Sequence, residues 1–199
     1  MDNAELIGRL GELISSPESI DVVREYVLGL GSRGRLVPRD PSEGTAHDWL
    51  SQLPHTPLGL DDARLVPPYS IPPHWQWVRL GDLAEYAAGR TPPRHDPTFW
   101  NNGDYPWVSI ADMQHGASVL TTKETVSERA KSRVFGSEPV PPGTILMSFK
   151  LTIGKISRLG IPAFHNEAII SVRPFLRDMD AYLFAFLPQA ARQGRPRMP

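Results

Sequence analysis

Residues 143–174 read GTILMSFKLTIGKISRLGIPAFHNEAIISVRP, and the fold turns on them. Pro141-Pro142-Gly143 forms a turn at their head, since proline presets φ and glycine accepts the positive φ of a type II turn. Thr144 to Phe149 is a run of β-branched and apolar residues bounded by that turn, which predicts a buried strand. Lys150, Thr152, Gly154 and Lys155 interrupt it with two cations, a hydroxyl and a flexible backbone position. Ala168 to Val172 is a second apolar run, reached through the polar hinge His165-Asn166-Glu167 and stopped by Pro174. Two strands joined by a cationic, glycine-containing crossing suit a β platform that holds donors toward a polyanion. The same residues also fit an ordinary β-hairpin with solvated lysines. Physical chemistry alone leaves both open.

Outward from this stretch, composition bounds the answer. At 199 residues the chain forms one domain, or one domain plus an appendage. The absence of cysteine excludes disulfides, thiol catalysis and cysteine-ligated zinc, and fits a cytoplasmic protein. No apolar run approaches the roughly 20 residues of a membrane helix, and a start carrying Asp2 and Glu5 is no signal peptide. The net charge of -1 conceals an asymmetry: residues 1–120 hold 9 basic and 16 acidic side chains, residues 121–199 hold 12 and 6. Either part of the molecule faces a polyanion, or surface charge has segregated by chance.

Residues 4–30 follow helical spacing in two short segments, divided at Ser16-Pro17 by a cap and a first-turn proline. Gly29, Gly31 and Gly34 end them. The chain from His47 to Tyr69 is turn-rich and reads as a linker. Trp75, Trp77 and Leu80 are expected to pin a strand to the core, because tryptophans two apart share one strand face. Trp100 to Asp104 reads as a turn and Pro106 to Ile110 as a strand. Lys123, Arg129, Lys131 and Arg133 form a cationic run, either solvated or phosphate-facing. A last helix carries Tyr182 to Leu187, and Pro188 and then Gly194-Arg195-Pro196 are expected to end it.

Gly143 to Lys155, with Asn166-Glu167-Ala168-Ile169-Ile170 after it, resembles the target recognition domain of type I restriction-modification specificity subunits. Ala87 to Met113, with Gly89, Thr91-Pro92, Trp100, Asn102-Gly103 and Pro106-Trp107-Val108-Ser109-Ile110, is similar to the first signature of that family. Val23 to Trp49 resembles its N-terminal region. The resemblance implies an α+β fold. A mixed, mainly β recognition domain with short helices is expected to span residues 71–199. It follows an N-terminal helical arm (1–50) and a Pro-rich linker (51–70). The family continues into a long spacer helix and a second recognition domain, so the C-terminal part is expected to be truncated. The implied partners are double-stranded DNA, methyltransferase subunits and, indirectly, the restriction and translocase subunit, with no membrane. Lys150 and Lys155, flanking Thr152, are expected to grip phosphates, and Arg90, Thr91 and Arg94 to reach base edges. Asn166 joins them as a DNA-binding position.

Chemistry of its own is not expected. There is no glycine-rich cofactor loop and no amino-methylation motif of the Asn-Pro-Pro-Tyr kind. The six histidines lack ligand spacing. Catalytic residues, metal ligands and cofactors are therefore expected to be none. Two other readings stay open: a degenerate specificity fragment that acts as a protein-interaction module on a methyltransferase subunit, and the recognition part of a fused modification enzyme.

Overall fold

A computed structural model describes residues 17–57 and 67–193. The first expected helix, the middle of the expected linker and residues 194–199 lie outside the described residues. The chain divides into two compact units, Met1–Leu83 and Ala84–Pro199.

In the first unit, helix α1 (Pro17–Gly31) begins on its proline, whose missing N–H is one that a helix start leaves unbonded anyway. The short helix α2 (Ala46–Leu50) is started by a capping box: the Thr45 hydroxyl accepts from the Asp48 amide, and the Asp48 carboxylate accepts from the Thr45 amide at 2.7 Å. The strand expected at Trp75 to Leu80 is not there. The Trp75 amide donates to the Pro72 carbonyl at 3.0 Å in a turn instead. Both tryptophans are half-buried, and Trp77 meets Tyr69 edge-on at 5.0 Å. Arg33 lies over the other end of this packing, 4.4 Å from the Tyr69 ring centre. Helix α3 (Leu80–Leu83) closes the unit, with Asp82 buried.

The second unit holds two sheets. The strands are β1 (Ala84–Ala88), β2 (Trp100–Val108), β3 (Ser118–Val119), β4 (Glu124–Val126), β5 (Ile145–Ser148), β6 (Ile156–Leu159), β7 (Phe164–His165) and β8 (Ile169–Pro174). One sheet has five strands in the order β1-β8-β5-β6-β3, the other three in the order β4-β2-β7. Strand β5 is central and buried along its whole length, as its apolar run predicts, and pairs antiparallel with both β6 and β8. The crossing between the two expected strands is thus itself structured, because it contains β6 and β7. Val108, Met113, Val119, Leu146, Leu159, Ala163 and Ile169 form one core. Phe99, Trp100, Trp107, Val126, Ala130 and Phe164 form another on the smaller sheet.

Three further features have physical causes. Trp100 and Tyr105 both face Val126, so the residues expected as a turn, Asn101 to Asp104, bulge out of a continuous strand. Asn101 and Gly103 absorb the bulge with φ of 57° and 82°. The cationic run enters α4 (Glu128–Ala130), capped by Ser127, and a following π turn at Lys131–Phe135. There Lys131 pairs with Glu138 at 2.7 Å and Arg129 lies over Phe99 at 5.4 Å. Helix α5 (Met179–Gln193) runs through Pro188 instead of stopping there. Pro188 is buried, and Gln189, Ala190, Ala191 and Arg192 after it tolerate or favour helix.

Candidate nucleic-acid interface

The pairing geometry gathers several loops at one end of the two sheets. Ala88, the last residue of β1, faces Ile170 near the start of β8, and Ser148, the last of β5, faces Ile169. In the smaller sheet β2 and β7 end together, Val108 opposite His165. The chain leaving β1, β2, β5 and β7 therefore emerges at the same end. Those segments carry every expected DNA-binding residue.

The loop after β1 is fastened to the smaller sheet by two indoles. Trp107 Nε1 donates to the Arg90 carbonyl and Trp100 Nε1 to the Pro93 carbonyl, each at 3.1 Å. Gly89 makes the approach possible: a Cβ there would lie 2.0 Å from the His165 carbonyl oxygen. The Arg90 amide donates to that same oxygen at 2.9 Å. Arg90 itself is exposed, yet Nη1 donates to the Val134 carbonyl at 2.5 Å. Arg94 lies over Trp100, 3.9 Å from the ring centre, and pairs with Glu124 through both terminal nitrogens.

Thr91 donates its hydroxyl to the carboxylate of exposed Glu167. That hydrogen bond and a second from the Glu167 amide hold the Glu167 carboxyl below its ordinary range against the opposing effect of burial, with weaker help from the charges of Lys150 and Arg94. The Thr91–Glu167 bond joins the loop after β1 to the segment before β8. Asn166 is the hinge behind it. Its side-chain oxygen accepts from the Ala168 amide at 3.0 Å, and its own amide donates to the Val108 carbonyl at 3.0 Å. Neighbouring His165 is buried, which makes its imidazole harder to protonate.

The β5–β6 hairpin completes the edge. Lys150 and Thr152 are exposed. Lys155 is half-buried, and its Nζ donates to the Ile110 carbonyl at 3.0 Å, tying the hairpin to the loop after β2. Gly154 makes a close backbone approach, but to protein: a Cβ there would sit 3.2 Å from the Pro188 carbonyl oxygen of α5. Sequence reasoning missed Glu167, Trp100 and Trp107 as organisers of this edge. Glu167 stands inside the quoted second signature, but nothing in the sequence pairs it with a threonine 76 positions away.

Residues 72–193, more than half of the chain, match the family of the type I restriction modification DNA specificity domain. The chain belongs to that family. Among curated proteins it is 25% identical over 119 residues to the type I restriction enzyme HindI specificity subunit of Haemophilus influenzae, covering 60% of this chain and 26% of that protein. It is 24% identical over 142 residues to the MjaIX specificity subunit of Methanocaldococcus jannaschii, covering 68% and 29%. The chain thus spans under a third of the curated relatives it matches. Among solved structures, the HsdS subunit from Thermoanaerobacter tengcongensis aligns over 98% of this chain and 43% of its own, at 18% identity and a TM-score of 0.48. Among the described residues no helix is long and apolar enough to cross a membrane, and no group of three or more His, Asp or Glu is placed to hold a metal.

Proposed function

We propose that this chain is a sequence-reading DNA module of a type I restriction-modification system, working in the cytoplasm without catalysis of its own. In this role it directs methyltransferase and nuclease or translocase subunits to the target. The observation that carries the proposal is the convergence of the loops after β1, β2, β5 and β7 at one end of two sheets. The loop backbone after β1 is held by two indole hydrogen bonds, and Lys155 ties the β5–β6 hairpin to the loop after β2. Rigid strands that present adaptable loops suit recognition, because selectivity needs donors held in fixed register against base edges.

Within that edge, exposed Lys150 and Thr152 meet phosphate, and Lys155 fixes the hairpin that carries them. Arg90, Thr91 and Arg94, on the fastened loop, face base edges, with Asn166 setting the hinge beside them. Partner contact falls to the arm at residues 1–50, joined by the linker at 51–70 to the recognition domain at 71–199. Ile20, Val22 and Tyr26 on α1 are exposed apolar side chains that suit a methyltransferase subunit.

Duplex binding as a function of salt tests this. A log–log slope of several counterions, with one sequence enriched over random duplex, is the expected result. Binding to a methyltransferase subunit with no duplex binding, alone or in that complex, would instead make the chain an interaction module.

A further inference from the structure

The tip of the β5–β6 hairpin carries an oddity that phosphate contact does not use. Leu151 has φ of 59°, and among the described residues its only non-glycine companion at positive φ is Asn101. Asparagine tolerates that conformation, whereas for leucine it costs about 1 kcal/mol or more. Leu151 is also 89% exposed, more than any other large apolar side chain described. A single exposed leucine is ordinary. One that is strained as well, where glycine or asparagine would be free of strain, is not.

Its support is unusually firm for a loop tip. The Ser148 amide donates to the Lys155 carbonyl and the Gly154 amide to the Ser148 carbonyl, both at 2.9 Å. Ser148 Oγ donates to the Thr152 carbonyl and accepts from the Lys155 amide. The Phe149 amide reaches the Ala168 carbonyl at 3.0 Å, Lys155 Nζ reaches Ile110, and Gly154 rests on Pro188. The tip is thus a braced apolar point with exposed Lys150 on one side and exposed Thr152 on the other.

We propose that Leu151 is a wedge that enters the DNA base stack at one step of the target while Lys150 holds the adjacent phosphate. The proposal rests on the DNA-reading function above. A braced backbone is what insertion requires, because unstacking a base step costs a few kcal/mol and a mobile tip would fold away instead. The neighbouring cation selects a nucleic-acid occupant over an apolar protein groove.

The test uses the full chain and the duplex it enriches from a random-sequence pool, with 2-aminopurine placed at each step in turn. With the wild-type chain and Leu151→Met, emission rises at one step on binding. With Leu151→Gly that rise disappears and affinity falls roughly 10- to 100-fold, the equivalent of one buried leucine. The salt slope stays unchanged, and the variant melts no lower than wild type because glycine accepts the backbone conformation. Wild-type affinity and emission in Leu151→Gly, in a protein where Lys150→Ala still flattens the salt slope, would overturn the wedge and leave DNA reading intact. Loss of affinity for a methyltransferase subunit but not for duplex would make Leu151 a protein contact. If the wild-type chain enriches no duplex, the wedge and the DNA-reading function fall together.

Discussion

Thr91 and Glu167, 76 positions apart in the chain, are joined by a hydrogen bond from the threonine hydroxyl to the carboxylate. The bond ties the loop after β1 to the hinge before β8, two segments that both carry the family resemblance. Because it favours the ionised acid, it contributes stability that is complete above the unfolded carboxyl value of about 4.3. That contribution is lost as pH falls through the lower folded value. The difference in unfolding free energy between wild type and Glu167→Gln should therefore be flat above about pH 5 and change only toward pH 3. Urea titrations across that range check it, and a difference that stays constant down to pH 3 would show that the bond does not distinguish the charged form.

Arg94 is an expected base reader that the fold also uses. Its guanidinium covers Trp100 and pairs with Glu124, while its side chain remains 53% exposed. Arg94→Ala should cost about 1 kcal/mol of stability. Loosening of the loop should weaken the target duplex more than a random one. Equal losses on both duplexes, with no change in melting temperature, would contradict this placement.

Gly154 has φ of 79°, and a Cβ there would lie a tight 3.2 Å from the Pro188 carbonyl oxygen. Gly154→Ala should destabilise the second unit by about 1–2 kcal/mol or more, through strain and displacement of α5. Denaturant midpoints measure it. An unchanged midpoint would mean that α5 yields freely at Pro188.

Much of the architecture is legible from apolar runs. Thr144 to Phe149 and Ala168 to Val172 become β5 and β8 because buried central strands need no alternation. Strand β6 was hidden by Ser157 and Arg158, polar residues in a short run. Ser157 is buried only because its hydroxyl finds the Gln114 carbonyl at 2.6 Å, while Arg158, half-buried, pairs with Asp180 and covers Phe184. The site was legible as a set of segments but not as a set of bonds. Lys155 reads as a free cation until the fold brings the Ile110 carbonyl to it. Trp75 and Trp77 read as the anchoring pair, whereas Trp100 and Trp107 fasten the loop.

The measurement closest to the central claim is the salt dependence of duplex binding for wild type and Lys150→Ala, each assembled with a methyltransferase subunit. Removing one phosphate contact should weaken target and random duplexes alike and lower the slope of log affinity against log salt by about one. An unchanged slope in Lys150→Ala, or a wild-type complex that binds the enriched duplex no better than a random one, would contradict the account.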